Sequence, residues 1–228
     1  MKKIVYMLSL SVALFASCDF DLDDEGKEKE KNTETGNYEY VDLGLPSGVK
    51  WATQNVGANT ATELGTFVAW GEITPITDYD WETYKWGNGD EDALTKYCTD
   101  ASAGKVDGKT TLEATDDIAT QLWGSDWRMP TFEEVKELYD KCTWTWVPSY
   151  AGVDAKGYVV KGTNGNSIFL PAVSREERQA EGAYWSSSLR TEEGYNKSAY
   201  ALLFAENEGV KLKSQYRINR FCVRAVHK

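Results

Sequence analysis

The nine tryptophans of this 228-residue chain all fall between residues 51 and 185, scattered among glycines and short apolar runs. That is the pattern of a core-forming domain assembled from many short elements, with bulky rings filling the spaces between them. Runs of β type dominate from Tyr38 onward: Tyr38 to Leu43, Val49 to Thr53, Gly65 to Trp70, Tyr158 to Lys161, Ser167 to Leu170, Ala199 to Phe204, Gly209 to Lys213 and Phe221 to Val226. Thr163-Asn164-Gly165-Asn166 separates two of them, and Asn-Gly supplies the positive φ angles of a tight hairpin. Two segments break the pattern. Thr131 and Glu134 fit a capping box, and Phe132, Val135, Leu138, Tyr139 and Cys142 recur at helical spacing, which predicts a helix from about Phe132 to Lys141. A second helix is predicted with Thr115 as its cap, Asp116 and Asp117 in its first turn, Ile118, Ala119 and Leu122 on one face, and a stop at Gly124.

The first 37 residues read differently. Lys2 and Lys3 precede an apolar run, Ile4 to Ala16, that is too short to span a bilayer and has the length of a signal-peptide core. Leu14-Phe15-Ala16-Ser17-Cys18 resembles the lipobox of bacterial lipoproteins, with Phe15 where an aliphatic residue is usual. The expectation is a signal peptide over 1–17, cleavage before Cys18, and acyl chains on Cys18 that anchor the protein without a transmembrane helix. Residues 18–37 open with Asp19, Asp21, Asp23, Asp24 and Glu25, then alternate Lys and Glu, and have almost nothing to bury; they are expected to form a disordered acidic stalk. Acidic residues after a lipidated Cys also resemble the surface-export signal of certain Gram-negative anaerobes. The expected location is the outer membrane, with the domain exposed on the cell surface. A net charge of -11, more negative still once Lys2 and Lys3 are removed, excludes nucleic acid as a partner.

Over residues 38–228 a series of strings resembles the FISUMP, or Fib_succ_major paralogous, domain. They are Asp42-Leu43-Gly44-Leu45-Pro46-Ser47-Gly48-Val49-Lys50-Trp51-Ala52-Thr53, Asn55-Val56-Gly57-Ala58, Ala69-Trp70-Gly71-Glu72, Tyr84-Lys85-Trp86, Thr95-Lys96-Tyr97-Cys98, Trp127-Arg128-Met129-Pro130-Thr131, Cys142-Thr143-Trp144, Gly165 to Pro171, Tyr184-Trp185-Ser186-Ser187-Ser188 and Val223-Arg224-Ala225-Val226. The resemblance implies an α+β, C-type-lectin-like fold related to formylglycine-generating, sulfatase-modifying domains. Such a fold has short, mostly antiparallel strands, two flanking helices, long loops, and first and last strands that pair. It also implies a helix-to-last-strand disulfide between Cys142 and Cys222; three free thiols at Cys98, Cys142 and Cys222 are the alternative reading. Family members often carry Cys where this chain has Gln54 and Gly87.

Residues that carry chemistry are few. The single histidine, His227, lies next to the C-terminus, no CxxC occurs, and no catalytic residue is assigned. The copper chemistry of the sulfatase-modifying relatives needs two close thiols late in the fold, where only Cys222 stands. Of the acidic pairs, Asp116-Asp117 and Glu133-Glu134 are explained by helix dipoles, and Glu176-Glu177 and Glu192-Glu193 by solvated loops. Asp90 and Asp92, near Asn88, Glu91, Asp78 and Asp80, are candidate oxygen ligands for a structural Ca²⁺, though not at EF-hand spacing. No other cofactor is expected.

Tyr184 to Asn219 has the Tyr, Trp, Ser, Asn and Gln content of a recognition surface. Trp185, Arg190, Tyr195, Asn196, Gln215, Tyr216, Arg217 and Asn219 are its candidate ligand-binding residues, although for Trp185 the inward-packing reading is the stronger. The expected function is a lipid-anchored surface binding module, adhesin-like or receptor-like, that takes a glycan or protein through the C-terminal half of the domain. A structural subunit of a surface assembly such as a fimbrial tip is the alternative, with an enzyme a distant third.

Overall fold

The computed structural model describes residues 38–75, 78, 80–175, 178–192 and 194–228. The signal peptide, Cys18, the rest of the stalk, the Glu176-Glu177 pair and Glu193 lie outside the described residues. Among the described residues no helix is long and apolar enough to cross a membrane.

Among the described residues the first elements are β1 (Tyr40–Val41) and β2 (Lys50–Ala52), followed by irregular backbone until a 3-10 turn, Ala114–Asp116, leads into α1 (Ile118–Trp123). β3 (Trp127–Arg128) and α2 (Phe132–Lys141) follow, then β4 (Thr143–Val147), β5 (Gly157–Lys161), β6 (Ser167–Pro171) and β7 (Val173–Arg175). The C-terminal half is β8 (Arg178–Leu189), β9 (Ser198–Ala205), β10 (Gly209–Tyr216) and β11 (Val226–His227). These strands form three antiparallel sheets of order β1-β2-β11-β3, β10-β9-β8-β7 and β4-β5-β6, so the architecture is α+β with few helices. The N-terminal β2 pairs with the C-terminal β11, Trp51 opposite Val226, and β1 joins the same sheet through β2.

Local chemistry explains the clearest elements. The Thr131 hydroxyl accepts from Glu134 N and the Glu134 carboxylate accepts from Thr131 N, so the capping box forms and buries Val135 and Leu138. Arg128 grips the same Glu134 with two guanidinium nitrogens, at 2.7 and 2.5 Å. The hairpin between β5 and β6 also forms, around a five-residue loop from Gly162 to Asn166 in which Gly165 has φ 90°. Its tip docks through Thr163, Asn164 and Asn166, whose side chains donate to the carbonyls of Gly44 and Asp42.

Three expectations need correction. α1 is capped by Asp117, whose carboxylate accepts from Ala119 N and Thr120 N, rather than by Thr115. Leu122 is 52% exposed, and Trp123 packs inward in its place. Gly65 to Trp70 forms a single bridge, Val68 to Phe221, because Trp70 N is drawn off to the Arg217 carbonyl.

Ser186, Ser187 and Ser188 make a bulge in β8, across which the register with β9 shifts from Trp185 opposite Ala201 to Leu189 opposite Ala199. Each serine is anchored inside the fold. Ser186 donates to the Tyr200 carbonyl, Ser187 to that of Pro130, and Ser188 accepts from Phe132 N at the start of α2. Trp70 lies on the same bulge and donates its indole N–H to the Ser186 carbonyl, while Trp185 donates to Val68. Trp51, Trp70 and Trp185 are the largest fully buried side chains and join the sheets into contiguous cores.

Candidate binding groove

Side chains of a strand alternate between its two faces, and the β7 to β10 sheet uses both. Tyr200, Leu202 and Phe204 point toward α2; Phe132 of that helix stacks on Tyr200 at 3.9 Å. The opposite face carries Glu181 and Ala183 of β8, Leu203 and Ala205 of β9, and Lys211, Lys213 and Gln215 of β10. Together with Leu64, Phe67 and the segment Asn219 to Cys222 these residues line a groove of about 380 Å³. Gly182 is obligatory in its floor: a Cβ there would stand 2.1 Å from the Phe204 ring.

The groove's far side is held by a buried network that begins at Arg224. Arg224 donates to the Asn55 side-chain carbonyl at 2.9 Å and to the backbone carbonyls of Ala52, Thr53 and Phe169. Asn55 in turn donates to the carbonyl of Leu64 and to the hydroxyl of Tyr184, which donates to the carbonyl of Pro171. Leu64 and Pro171 both line the groove, so this network fixes two of its edges. Cys222 N donates to Ala183 O and the Val68 to Phe221 bridge ties the remaining edge, which makes the groove a preformed feature of the fold.

Its electrostatics are mixed. Lys211 lies 2.7 Å from Glu208, which also accepts from Gln179, and these contacts hold Glu208 below the usual carboxylate range. Lys211, Lys213 and Arg220 outnumber Glu181 and Glu208 along the lining, on a chain that is otherwise strongly acidic. Asn219 donates to Gln215 at 3.1 Å. Cys222 also lines the groove, but burial pushes its thiol up to about 12, so it is not a nucleophile near neutral pH.

The structure divides the sequence-derived candidates. Gln215 and Asn219 meet in the groove. Arg190, Tyr195 and Asn196 gather instead at a polar crevice of about 340 Å³ lined by Thr99, Asp100, Ala101, Thr191, Glu192, Gly194 and Asn196. There the Arg190 guanidinium stacks on Tyr195 at 3.2 Å and binds Glu192 and Ser214, Tyr200 donates to Glu192, and Asn196 donates to Asp100. These groups satisfy one another, as the polar groups of the groove do, but the crevice lining has no large apolar side chain to set beside them, whereas the groove has Leu64, Phe67, Leu203 and Phe221. Tyr216 stands apart, 57% exposed beside Trp81.

Two candidates are corrected by burial. Trp185 is core, its N–H satisfied by Val68. Arg217 is fully buried: it lies over Trp70 and donates to the carbonyls of Asn196 and Lys96, so it is a strut under the loops and not a surface contact. The side chains missed from sequence, Lys211, Lys213, Gln179 and Glu181, share the groove face through the period-2 alternation of β8 and β10, a signal that also reads as ordinary solvated strand faces.

The remaining chemistry-bearing calls resolve into structure. Asp116 does not serve a helix dipole; it is buried and paired with Lys85 at 3.0 Å, Lys96 at 2.5 Å and the Tyr97 hydroxyl at 2.6 Å. Burial would raise its pKa, but these partners outweigh burial and hold it below the usual range. Asp92, a calcium candidate, is taken by the Lys197 ammonium at 2.7 Å, and Asp90 accepts from Asp92 N, so a lysine stands where the cation would. Among the described residues no group of His, Cys, Asp and Glu has the makings of a metal site. The implied Cys142 to Cys222 disulfide is absent, and Cys98, Cys142 and Cys222 are free thiols. Cys142 closes α2 through its N–H to Leu138 and Cys222 is fixed in the sheet by Ala183 and Trp185, so each is seated by its own backbone bonds.

Comparison of the chain with protein-family models, with curated proteins and with solved structures returns no match.

Proposed function

We propose that this chain is a lipid-anchored, surface-displayed binding module of lectin-like fold, and that the groove over the β8 to β10 face takes its ligand, a glycan or a protein. The observation that carries the reading is the groove itself: a preformed concavity in which apolar side chains lie beside amides and charges that can fix an orientation. The pairing of β2 with β11, the two helices and the long irregular segment between β2 and α1 support the lectin-like part. The lipoprotein-like N-terminus supports the anchor and the outer-membrane location. A binding role is favoured over catalysis because the groove's one thiol is held protonated and its acids and lysines partly neutralise one another.

The test combines protease shaving of intact cells with a panel of glycans and envelope proteins offered to the full chain in detergent. Release by shaving, and a ligand whose binding falls at least fivefold on Gln215→Ala, support the proposal. A chain that shaving does not reach, or a ligand that the Gln215 change leaves untouched, overturns it.

A further inference from the structure

We propose that an extended segment of a partner protein adds to the four-stranded β7 to β10 sheet as a further strand, antiparallel to β10; the inference rests on the binding reading above and names the class of its partner. β10 is the outer strand of that sheet and pairs along its eight residues with β9 without a shift of register. A residue of an antiparallel ladder turns both its backbone groups toward one neighbouring strand, and the next residue turns them to the other side. Arg217 N donates to Lys197 O just beyond the ladder, so the residues in step with it, Lys211, Lys213 and Gln215, are bonded to β9. Glu206 N donates to Ala180 O, which fixes the same alternation in β9 from its other side.

Val210, Leu212 and Ser214 therefore turn their N–H and C=O groups outward, and among the described residues no backbone group pairs with them there. Folded proteins ordinarily blunt such an edge with a bulge, a proline or a covering segment. β10 has neither bulge nor proline across this row, so it offers donors and acceptors at the spacing of another strand.

The side chains along the edge say what that strand carries. Val210 and Leu212 pack against the core and yet stay half-buried, so apolar side chains set opposite them complete a burial the fold leaves unfinished. Lys211, Lys213 and Gln215 stand on the other face, in the lining of the groove, so the alternate side chains of the added strand reach its lip and meet polar groups. The partner segment is one in which apolar and polar residues alternate. A second copy of β10 alternates in the same way, but two-fold antiparallel pairing centred on Leu212 sets Lys211 and Lys213 against one another across the axis, and like charges directly opposite are destabilising. A strand with neutral or acidic side chains at those places meets no such repulsion, which assigns the edge to another protein.

The experiment offers the full chain, in detergent, a synthetic peptide of alternating valine and glutamine matched in length to β10, in three forms: N-methylated at the glutamines, at the valines, and throughout. N-methylation removes a backbone donor, and on one edge alone it also keeps the peptide from stacking on itself. In the antiparallel register the valines lie opposite Val210, Leu212 and Ser214 and turn their N–H groups to β10, so the glutamine-methylated form should bind and the other two should be silent. Hydrogen exchange followed by NMR should then slow by about tenfold or more at the Val210, Leu212 and Ser214 amides and stay unchanged at Lys211 and Lys213, which are already in the ladder. Silence toward the glutamine-methylated form, equal binding of the fully methylated one, or a bound peptide that leaves the three outward amides exchanging freely would overturn strand addition. Those amides protected in the chain alone, and released on dilution, would give the edge to a second copy and overturn the partner class. A glycan that binds, falls on Gln215→Ala and leaves the same amides free would overturn the protein segment while keeping the groove as a ligand site.

Discussion

Replacing Arg224 with methionine removes a buried cation without opening a large void, which makes it a direct measure of what the network beneath the groove contributes. Four hydrogen bonds are lost, to the Asn55 side chain and to the carbonyls of Ala52, Thr53 and Phe169, at 2.9 to 3.2 Å. At about 1.5 kcal/mol each, the low end for bonds to a charged group, they sum to about 6 kcal/mol. Against this stands the desolvation that methionine avoids. Burial lowers the Arg224 pKa from 12.5 to about 10, which corresponds to roughly 3 kcal/mol. The net expectation is a loss of about 3 kcal/mol, read as a drop in the urea midpoint at unchanged slope by tryptophan fluorescence. Asn55→Ala in the Arg224→Met background should add less than it does alone, because the two side chains share a bond. A loss below about 1 kcal/mol would show that the bonds do no more than offset desolvation, as some buried ion pairs do, and would refute the claim that this arginine braces the groove.

Gly182→Ala places a Cβ 2.1 Å from the ring of Phe204, which is itself packed on Tyr184, Tyr158 and Trp146; thermal melting should show a loss of about 2 kcal/mol, and an unshifted midpoint would mean the ring moves freely. For Glu134, burial alone would raise the pKa, but Arg128 and Thr131 hold it below the ordinary 4.5. Its contribution is therefore present above about pH 4.5 and lost as pH falls through the lower folded value, so Glu134→Gln should flatten the acid limb of the stability curve and leave its shape near neutrality unchanged. Burial pushes the Cys142 and Cys222 thiols up to about 11 and about 12, so both should resist alkylation at pH 8 until the protein is unfolded; a non-reduced mass lighter by two hydrogens would restore the disulfide. Combined Lys211→Ala, Lys213→Ala and Gln215→Ala should lower stability by less than about 1 kcal/mol in urea, since all three side chains face the groove and none belongs to the core clusters. A larger loss would make that face structural.

What was legible in the sequence was what short-range chemistry determines. Thr131 and Glu134 are three residues apart and satisfy each other, so α2 could be placed from its cap alone. The Asn164-Gly165 turn was equally local, although its loop is longer than a two-residue hairpin because Thr163, Asn164 and Asn166 reach across to the segment that follows β1. Long-range partners decided the rest. Thr115 and Asp117 are both capping residues, and Asp117 won because its second oxygen also accepts from Met129 N, a bond no local pattern reveals. β8 carries Gly182 and three serines, poor strand formers, and is extended because β9 and β7 pair with it on both sides. At the end of β10, Tyr216 and Arg217 are neighbours of similar surface character, yet one faces out and the other is swallowed by Trp70 and the loop carbonyls.

The frame and the groove face draw on nearly disjoint sets of residues. Trp51, Asn55, Trp70, Trp127, Trp185 and Arg224 build the frame, and each is buried. Pro171 joins the two, since it lines the groove and its carbonyl is held by the buried Tyr184 hydroxyl. Gln179, Glu181, Lys211, Lys213, Gln215 and Asn219 belong to the groove face alone. Because β8 and β10 pair with β9 through backbone atoms, the side chains on that face can be exchanged without disturbing the ladders. The physical consequence is that the buried rings and Arg224 determine the frame, whereas the chemistry of the groove face determines what the groove can hold.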